Sequence, residues 1–298
     1  MCVLAKSIYD LQRSDIKTML AEIAKENGPV MSDRVLAYVR KGFNWYMIED
    51  DGFKSPIVRG MGRTKPKHRA RKRTLADEEI RDVWAALETA DVPLCYPPFL
   101  TSLLLNATRR NESSMMRSSE VDGDTWIIPG ERYKTKLDHV IPLTEQAKGL
   151  IGGKPQGFRG NSWFVFSTTN GVRPFSGFSK AKKALDLEIS KIRRRDGRAE
   201  MPRWTLHDLR RTGRTLMSRA KVPTDHAERV LGHVIGGVRE TYDRYEYLDE
   251  KREALTMLAA LVRPSVVALA DFRANHSGGA YSDEKLLDSR LQVSALAR

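Results

Sequence analysis

The segment TLHDLRRTGRTLMSRAKVPTDHAERVLGHVIGGVRETYDRYEY, Thr205 to Tyr247, holds three histidines, seven arginines and three tyrosines. His207 and Arg210 stand three residues apart, so on a helix they share a face and reach one anion together. His233 follows Gly232, a residue type that stops helices, and Tyr242 lies nine residues further on. Side chains of these types can grip a phosphate, because a guanidinium is planar, always charged and forked. The same run also reads as a helix, a turn containing KVPT and a second helix, the pattern of a helix-turn-helix. A basic helix pair with no ligand would look similar. Spacing alone leaves these readings open.

The elements that must position these residues are mostly helices. Leu209, Leu216, Met217 and Ala220 give the His207 helix an apolar side with which to anchor on a core. Upstream, Ile80, Val83, Trp84 and Leu87 mark a helix, and PPFLTSLLLNA opens another that reads as buried nearly all round. TWIIP (125–129) and HVIPL (139–143) are two β runs separated by a charged turn. SWFVFST (162–168) is expected as a third strand. Phe178, Ala181, Leu185, Ile189 and Ile192 follow helical spacing. Near the start, Ile16, Met19, Leu20 and Ile23 predict a helix capped by Ser14 and ended by NGP at 27–29. Val35, Leu36, Val39, Phe43, Tyr46 and Met47 form the stripe of a second helix beginning near Ser32, with Arg34, Arg40 and Lys41 on its other face. No internal repeat stands out.

The chain has 298 residues and a formal net charge of +13, with a pI near 9.8. A hydrophobic content of 41% supports a folded core, so the charge surplus is a property of its surface. Such a surface attracts polyanions, nucleic acid above all; a solubility surplus is the plainer reading. Residues 59–73, RGMGRTKPKHRARKR, contain eight Lys or Arg, two Gly, one Pro and no acid. This block repels itself and has no apolar face, so it reads as an extended linker able to track a phosphate backbone. Two cysteines, Cys2 and Cys95, cannot form a disulfide framework, and the histidines have no cysteine partners for a zinc site. No stretch approaches the length of a membrane span, and MCVLAKSIYDLQRSD is charged too soon for a signal peptide. A cytoplasmic, nucleoid-associated protein without a membrane partner is the expectation.

Four pieces, met in order, resemble the tyrosine recombinase (phage integrase) family. LLLNATRRNESSMMRSSEVD is similar to its first arginine box, a Leu-rich helix followed by T-G-x-R-x-x-E. ERYKTKLDHVIPLT is similar to its β-hairpin lysine and following strand. HDLRRT and LGH, with a tyrosine nine residues after that histidine, resemble its C-terminal motifs. Carried over position by position, the resemblance implies a catalytic set of Arg109, Lys134, His207, Arg210, His233 and the nucleophile Tyr242, with Glu112 orienting an arginine. Ala107 stands where the family usually has Gly, and MMRSS where Leu-Arg-Trp often follows.

The family's reaction is in-line attack of the tyrosine oxygen on a DNA phosphodiester, leaving a 3′-phosphotyrosine and a free 5′-hydroxyl. The resemblance implies that Arg109 and Arg210 hold the developing charge, Lys134 protonates the leaving oxygen, His207 takes the tyrosine proton and His233 binds a phosphate oxygen. No metal or other cofactor is then needed. Arg110 is the alternative to Arg109, Lys136 to Lys134 and Tyr245 to Tyr242; Tyr247 reads as packing. His68, His139, His226 and His276 receive no role. Two other functions stay open beside recombination: a non-catalytic DNA-binding protein, and a topoisomerase of type IB, which shares the chemistry without strand exchange.

GPVMSDRVLAYVRKGFNWYMIEDD and SPIVRG are similar to the helical core-binding domain of phage and genomic-island integrases. The expected architecture is mainly α with a small antiparallel β-sheet. Residues 1–58 are expected to form a SAM-like core-binding domain, either N-terminally truncated or a short form without an arm-binding domain, and 59–73 the basic linker. Residues 74–262 form the catalytic domain with the DNA breaking-rejoining enzyme fold, and 263–298 a loosely ordered or docking tail. Leu255, Leu258, Leu261 and Val262 predict a C-terminal apolar stripe, seated on a neighbouring protomer or folded back on its own domain. Expected DNA contacts are Arg34, Arg40, Lys41, Arg63, Lys65, Lys67, Arg69, Arg71, Lys72 and Arg73. The implied partners are double-stranded attachment-site DNA, three further copies in a tetramer on DNA (a monomer without it), and an accessory directionality or DNA-bending protein.

Overall fold

The structure is a computed structural model. It describes residues 6–65, 71–233 and 245–276, with side chains of the last helix described to 262. The chain divides into two compact units, Met1–Lys72 and Arg73–Arg298.

In the first unit, α1 (Arg13–Asn27) and α2 (Pro29–Glu49) pack on each other. Gly28 sits between them at φ +84, a left-handed backbone that ends one helix and starts the next, with Pro29 in the first-turn position where its missing N–H costs nothing. The N-terminal cap of α1 is Gln12, whose amide donates to Asp15 at 2.9 Å, rather than Ser14. The core here is thin: Ile16, Leu20 and Leu36, flanked by Met19, Phe43, Ile57 and Met61. Met47, expected on the buried stripe, is 43% exposed. Twenty-one residues of helix outrun the few partners available, so the stripe is buried only over its first half. The basic stretch is not extended from its start, because Asp33 accepts the amides of Arg63 (2.7 Å) and Thr64 (3.0 Å).

The second unit is built round α4 (Tyr96–Leu105), whose ten residues are all buried. Against it or its neighbours pack α3 (Asp77–Thr89), α7 (Phe178–Arg195), α8 (Leu206–Arg219), α9 (Thr224–Val230) and α10 (Leu248–His276). Two short helices, α5 (Arg110–Ser114) and α6 (Glu145–Lys148), cap loops. A buried carboxylate ties α3 to the end of α7: Asp82 accepts from the buried Arg193 and the half-buried Arg198, at 2.6–2.9 Å. The sheet is three-stranded and antiparallel in the order β1 (Val121–Asp122), β2 (Thr125–Ile128), β3 (His139–Pro142). Trp126 pairs with Ile141 and Ile128 with His139. Trp126, Ile128 and Ile141 face the core.

One expectation needs correction. SWFVFST makes no strand; its alternation does bury Phe164 and Phe166, but Phe164 forms only an isolated bridge with Arg117. The amides here are satisfied by loop carbonyls instead, Val165 to Met116 at 3.0 Å and Phe164 to Gly171 at 2.9 Å. The third strand is the two-residue β1, too short to show a period. At the C-terminal end, the apolar stripe folds back: Leu255, Leu258 and Val262 join the core of their own unit, and only Leu261 points outward. The helix itself continues to His276, past residue 262.

Candidate active site

Arg109 is set by the turn that precedes it. Its backbone begins α5, and Glu112, three residues on, accepts the Arg109 amide at 2.7 Å through one carboxylate oxygen and its guanidinium through the other. The R-x-x-E spacing is therefore a capping box whose acid also orients the arginine. Ala107, two residues earlier, lies at φ +48 in the left-handed region, which turns its carbonyl toward α8. That carbonyl accepts Nη1 of Arg210 at 2.5 Å.

Arg210 lies within the first turns of α8, which is started by a box between Thr205 and Asp208, the Thr205 amide donating to the carboxylate at 2.8 Å. Its side chain is 4% exposed. Besides the Ala107 bond, Nη2 donates to the carbonyl of Leu231 at 2.6 Å and lies 3.4 Å from Nε2 of His233. Glu112 is 4.0 Å away and so stands between both arginines. Burial first, and the neighbouring Arg109 charge second, push the Arg210 pKa down to about 10. It is still charged at neutral pH, so two cations face one shared carboxylate, and a bound anion would relieve their repulsion.

His233 owes its place to the end of α9. Gly232 at φ +58 lets the His233 amide return to the Glu228 carbonyl (3.0 Å) and its own amide to Arg229 (3.0 Å), the paired bonds of a glycine C-cap. The Glu228 carboxylate holds Nδ1 of His233 at 2.5 Å and is itself held by Arg214 at 2.8 Å. Nε2 is thereby turned to Arg210. Burial raises the Glu228 carboxyl, but the hydrogen bonds from Arg214 and His233 outweigh it and hold the group below its usual range. His207, exposed at the start of α8, has its pKa lowered by partial burial and then by the charges of Arg211 and Arg210. It is thus neutral at pH 7, with a lone pair able to take a proton.

The described residues include the three alternatives, Arg110, Lys136 and Tyr245. Arg110 turns away from Arg210: its guanidinium stacks 4.8 Å over Phe178 and donates to Asn111. Lys136 is turned to the carbonyl of Glu131 at 3.2 Å, on the loop joining β2 to β3. Lys134, on the same loop, is exposed and makes no hydrogen bond or ion pair among the described residues. Tyr245 is 58% exposed and packs edge-on against Tyr247, over which Arg229 lies at 3.4 Å. Tyr242, Lys67 and Arg69 lie outside the described residues. Of the expected DNA contacts, Arg34, Lys41, Arg63, Lys65, Arg71 and Lys72 are exposed, and Arg40 reaches the Val58 carbonyl at 3.3 Å. Arg73 has its charge engaged in the second unit, bonded to both oxygens of Glu79 at 2.6 and 2.8 Å.

An open groove of about 840 Å³ begins at Arg109 and His207 and runs along α7 past Lys182, Lys183 and Arg203. Lys182 lies 3.8 Å over the Trp204 ring. These basic residues were not singled out in the sequence, although Phe178, Lys182 and Asp186 repeat every fourth residue along one face of a helix that was recognised. Glu228, Arg214 and Tyr133 were also missed. Glu228 sits one turn before LGH, where an acid could have been sought as a partner for the histidine.

A model of the phage integrase family matches residues 73–251, more than half of the chain, and the chain belongs to that family, the tyrosine recombinases. The prophage integrase IntA of Escherichia coli (strain K12) is 24% identical over 64% of this chain and 44% of its own length. The chain thus spans less than half the length of that relative. The fold is similar to that of the Tn1549 transposon integrase in complex with transposon right end DNA, with a TM-score of 0.61, 15% identity and coverage of 79% of this chain and 85% of that one. It is also similar to a lambda integrase tetramer bound to a Holliday junction, with a TM-score of 0.54, 17% identity and coverage of 76% and 65%. No described helix is long and apolar enough to cross a membrane.

Proposed function

We propose that this chain is a site-specific DNA recombinase that integrates or excises a mobile element by way of a 3′-phosphotyrosine. The observation that carries the reading is the arginine pair: Arg210 sealed in backbone carbonyls, Arg109 beside it, and His233 turned toward Arg210 by Glu228. Two fixed guanidiniums and an imidazole match the non-bridging oxygens of a phosphodiester, and preorganised donors act most strongly where water is excluded. Tyr242 attacks phosphorus and the bond to the 5′-oxygen breaks. The tyrosine proton passes to the neutral His207, and Lys134 supplies the proton that the leaving 5′-oxygen takes up. The phosphotyrosine keeps the bond energy, so the 5′-hydroxyl of a second strand can reverse the step.

The helical unit would bind the DNA as a core-binding domain, with residues 59–73 as a basic linker contacting the phosphate backbone. Attachment-site DNA is the substrate, and four copies assemble on it, as the lambda integrase tetramer does on a Holliday junction. A directionality or bending protein would choose between integration and excision.

The test is a covalent adduct. The protein is incubated with DNA spanning the junctions that flank its own gene, quenched with SDS, and run beside Tyr242→Phe and Tyr245→Phe. An adduct lost with Tyr242→Phe and kept with Tyr245→Phe is the expected result. A native-gel shift without any adduct, on nicked suicide substrates too, would make the chain a DNA-binding protein that does not cut.

A further inference from the structure

Next to Lys134 stands a side chain that no step of the reaction above uses. Tyr133 is 3% exposed, and its hydroxyl lies 3.3 Å from Nη1 of Arg109, 3.3 Å from the carbonyl of Leu231 and 3.2 Å from that of Gly232. A phenol has one proton and two lone pairs, so it accepts from Arg109 and donates to the pair of carbonyls. Burial raises its pKa, so it keeps that proton. The ring is stacked on His139, with centroids 4.7 Å apart and planes 19° apart, and Nε2 of His139 lies 3.2 Å from the carbonyl of Val230. Burial depresses the His139 pKa to about 3, which leaves the imidazole neutral and its N–H free to donate.

Three successive carbonyls at the end of α9 are thus taken by two side chains of the β2–β3 hairpin. The next residue in the chain is His233. A Cβ on Gly232 would fall 1.8 Å from the Tyr133 oxygen, so the glycine serves this contact as well as the helix stop. Apolar packing does not account for the arrangement. A phenylalanine would fill the same space without burying a hydroxyl that must find partners.

We propose that Tyr133 is the positioning residue that docks the Lys134 loop onto the arginine pair, so that Lys134 is placed for proton transfer only while the Tyr133 hydroxyl is seated between Arg109 and the Leu231 and Gly232 carbonyls. The inference rests on Lys134 being the general acid. Tyr133 touches no reacting atom. Its backbone adjoins Lys134, and its oxygen is fixed to the residue that holds the phosphate.

The test compares the full chain, Tyr133→Phe, Lys134→Ala and the double variant on two suicide DNAs. One has an ordinary phosphodiester at the cleaved position and the other a 5′-bridging phosphorothiolate, whose leaving thiolate needs no proton. Gel shift and thermal melting check binding and folding in parallel. The expected result is that Tyr133→Phe slows adduct formation about tenfold on the phosphodiester. On the phosphorothiolate it should come within about twofold of wild type, and the double variant should be no slower than Lys134→Ala alone. A full-rate Tyr133→Phe, a defect that persists on the phosphorothiolate, or defects that multiply in the double variant would each overturn the assignment. A wild-type protein that forms no adduct with either DNA removes the proposed function itself, and this inference with it.

Discussion

Arg210 and Lys134 carry the same charge, are assigned to one site in the proposed reaction, and are held in opposite ways. Arg210 is sealed at 4% exposure, with its fork spread across the carbonyls of Ala107 and Leu231. Lys134 is exposed on a loop and partnered by none of the described residues. The difference follows from what each group must do. A guanidinium that stabilises charge has to be oriented before the reaction, because reorienting it during the reaction would consume the gain. A proton donor has only to reach one oxygen, and a loop that arrives with the DNA suffices. On the proposed reaction, the arginine is built into the core, whereas the lysine is carried at the surface, where Tyr133 would register it.

Arg210→Lys tests the first half of this contrast and should have the largest effect. An ammonium cannot span two carbonyls, so one buried acceptor is left without a donor. Stability should fall by about 2–4 kcal/mol, and adduct formation by about 10²–10³-fold. Denaturant midpoints and single-turnover rates would show the two losses together. A variant with a wild-type midpoint would mean that the cage is not what holds the residue. Lys134→Ala tests the other half. Adduct formation should drop about 10²-fold, while stability stays within about 0.5 kcal/mol of wild type, since the side chain is exposed and makes no hydrogen bond or ion pair among the described residues. Losing stability as well would end the contrast.

Glu228→Gln lies between the two, because it acts through His233. The folded carboxyl is held below its usual range, so its contribution to stability is complete above the ordinary value of 4.5 and fades as pH falls through the depressed one. The wild type should therefore melt higher than Glu228→Gln at neutral pH, by no more than about 1 kcal/mol because solvent reaches the pair. The two should converge in acid. A gap that stays constant with pH would show that charge is not the cause.

Much of this site is legible in the sequence where a side chain sits on a regular element. Helical spacing puts His207 and Arg210 on one face, while their proposed roles come from the resemblance, and the buried α4 follows from a run with no polar face. The R-x-x-E and LGH spacings become capping geometry once the backbone is known. Contacts between distant segments are another matter. Nothing local says that Tyr133 will reach residues 231 and 232, because that meeting depends on how the hairpin packs against α9. SWFVFST shows the limit from the other side: alternation reports which side chains are buried, not whether a neighbouring strand exists to pair with. The short β1 has too few residues to carry any period.

The smallest expected effect concerns Ala107, which occupies the position where the family usually has glycine. At φ +48 an alanine carries roughly 1–2 kcal/mol of strain that a glycine would not. Its methyl is fully buried, worth about 0.8 kcal/mol, and a glycine would cost a further ~0.4–1 kcal/mol through the freedom of its unfolded chain. The site is tight for anything larger, because a Cβ on the facing Gly213 would already stand 3.3 Å from the Ala107 methyl. The opposing contributions nearly cancel, so Ala107→Gly should leave the stability within about 1 kcal/mol of wild type and adduct formation unchanged, since the carbonyl that receives Arg210 keeps its direction. Ala107→Val should lose both, as a β-branched side chain suits neither the left-handed backbone nor the space. A strong gain in cleavage from Ala107→Gly would show instead that the methyl tilts this carbonyl, and that the arginine cage is tuned by a single backbone angle.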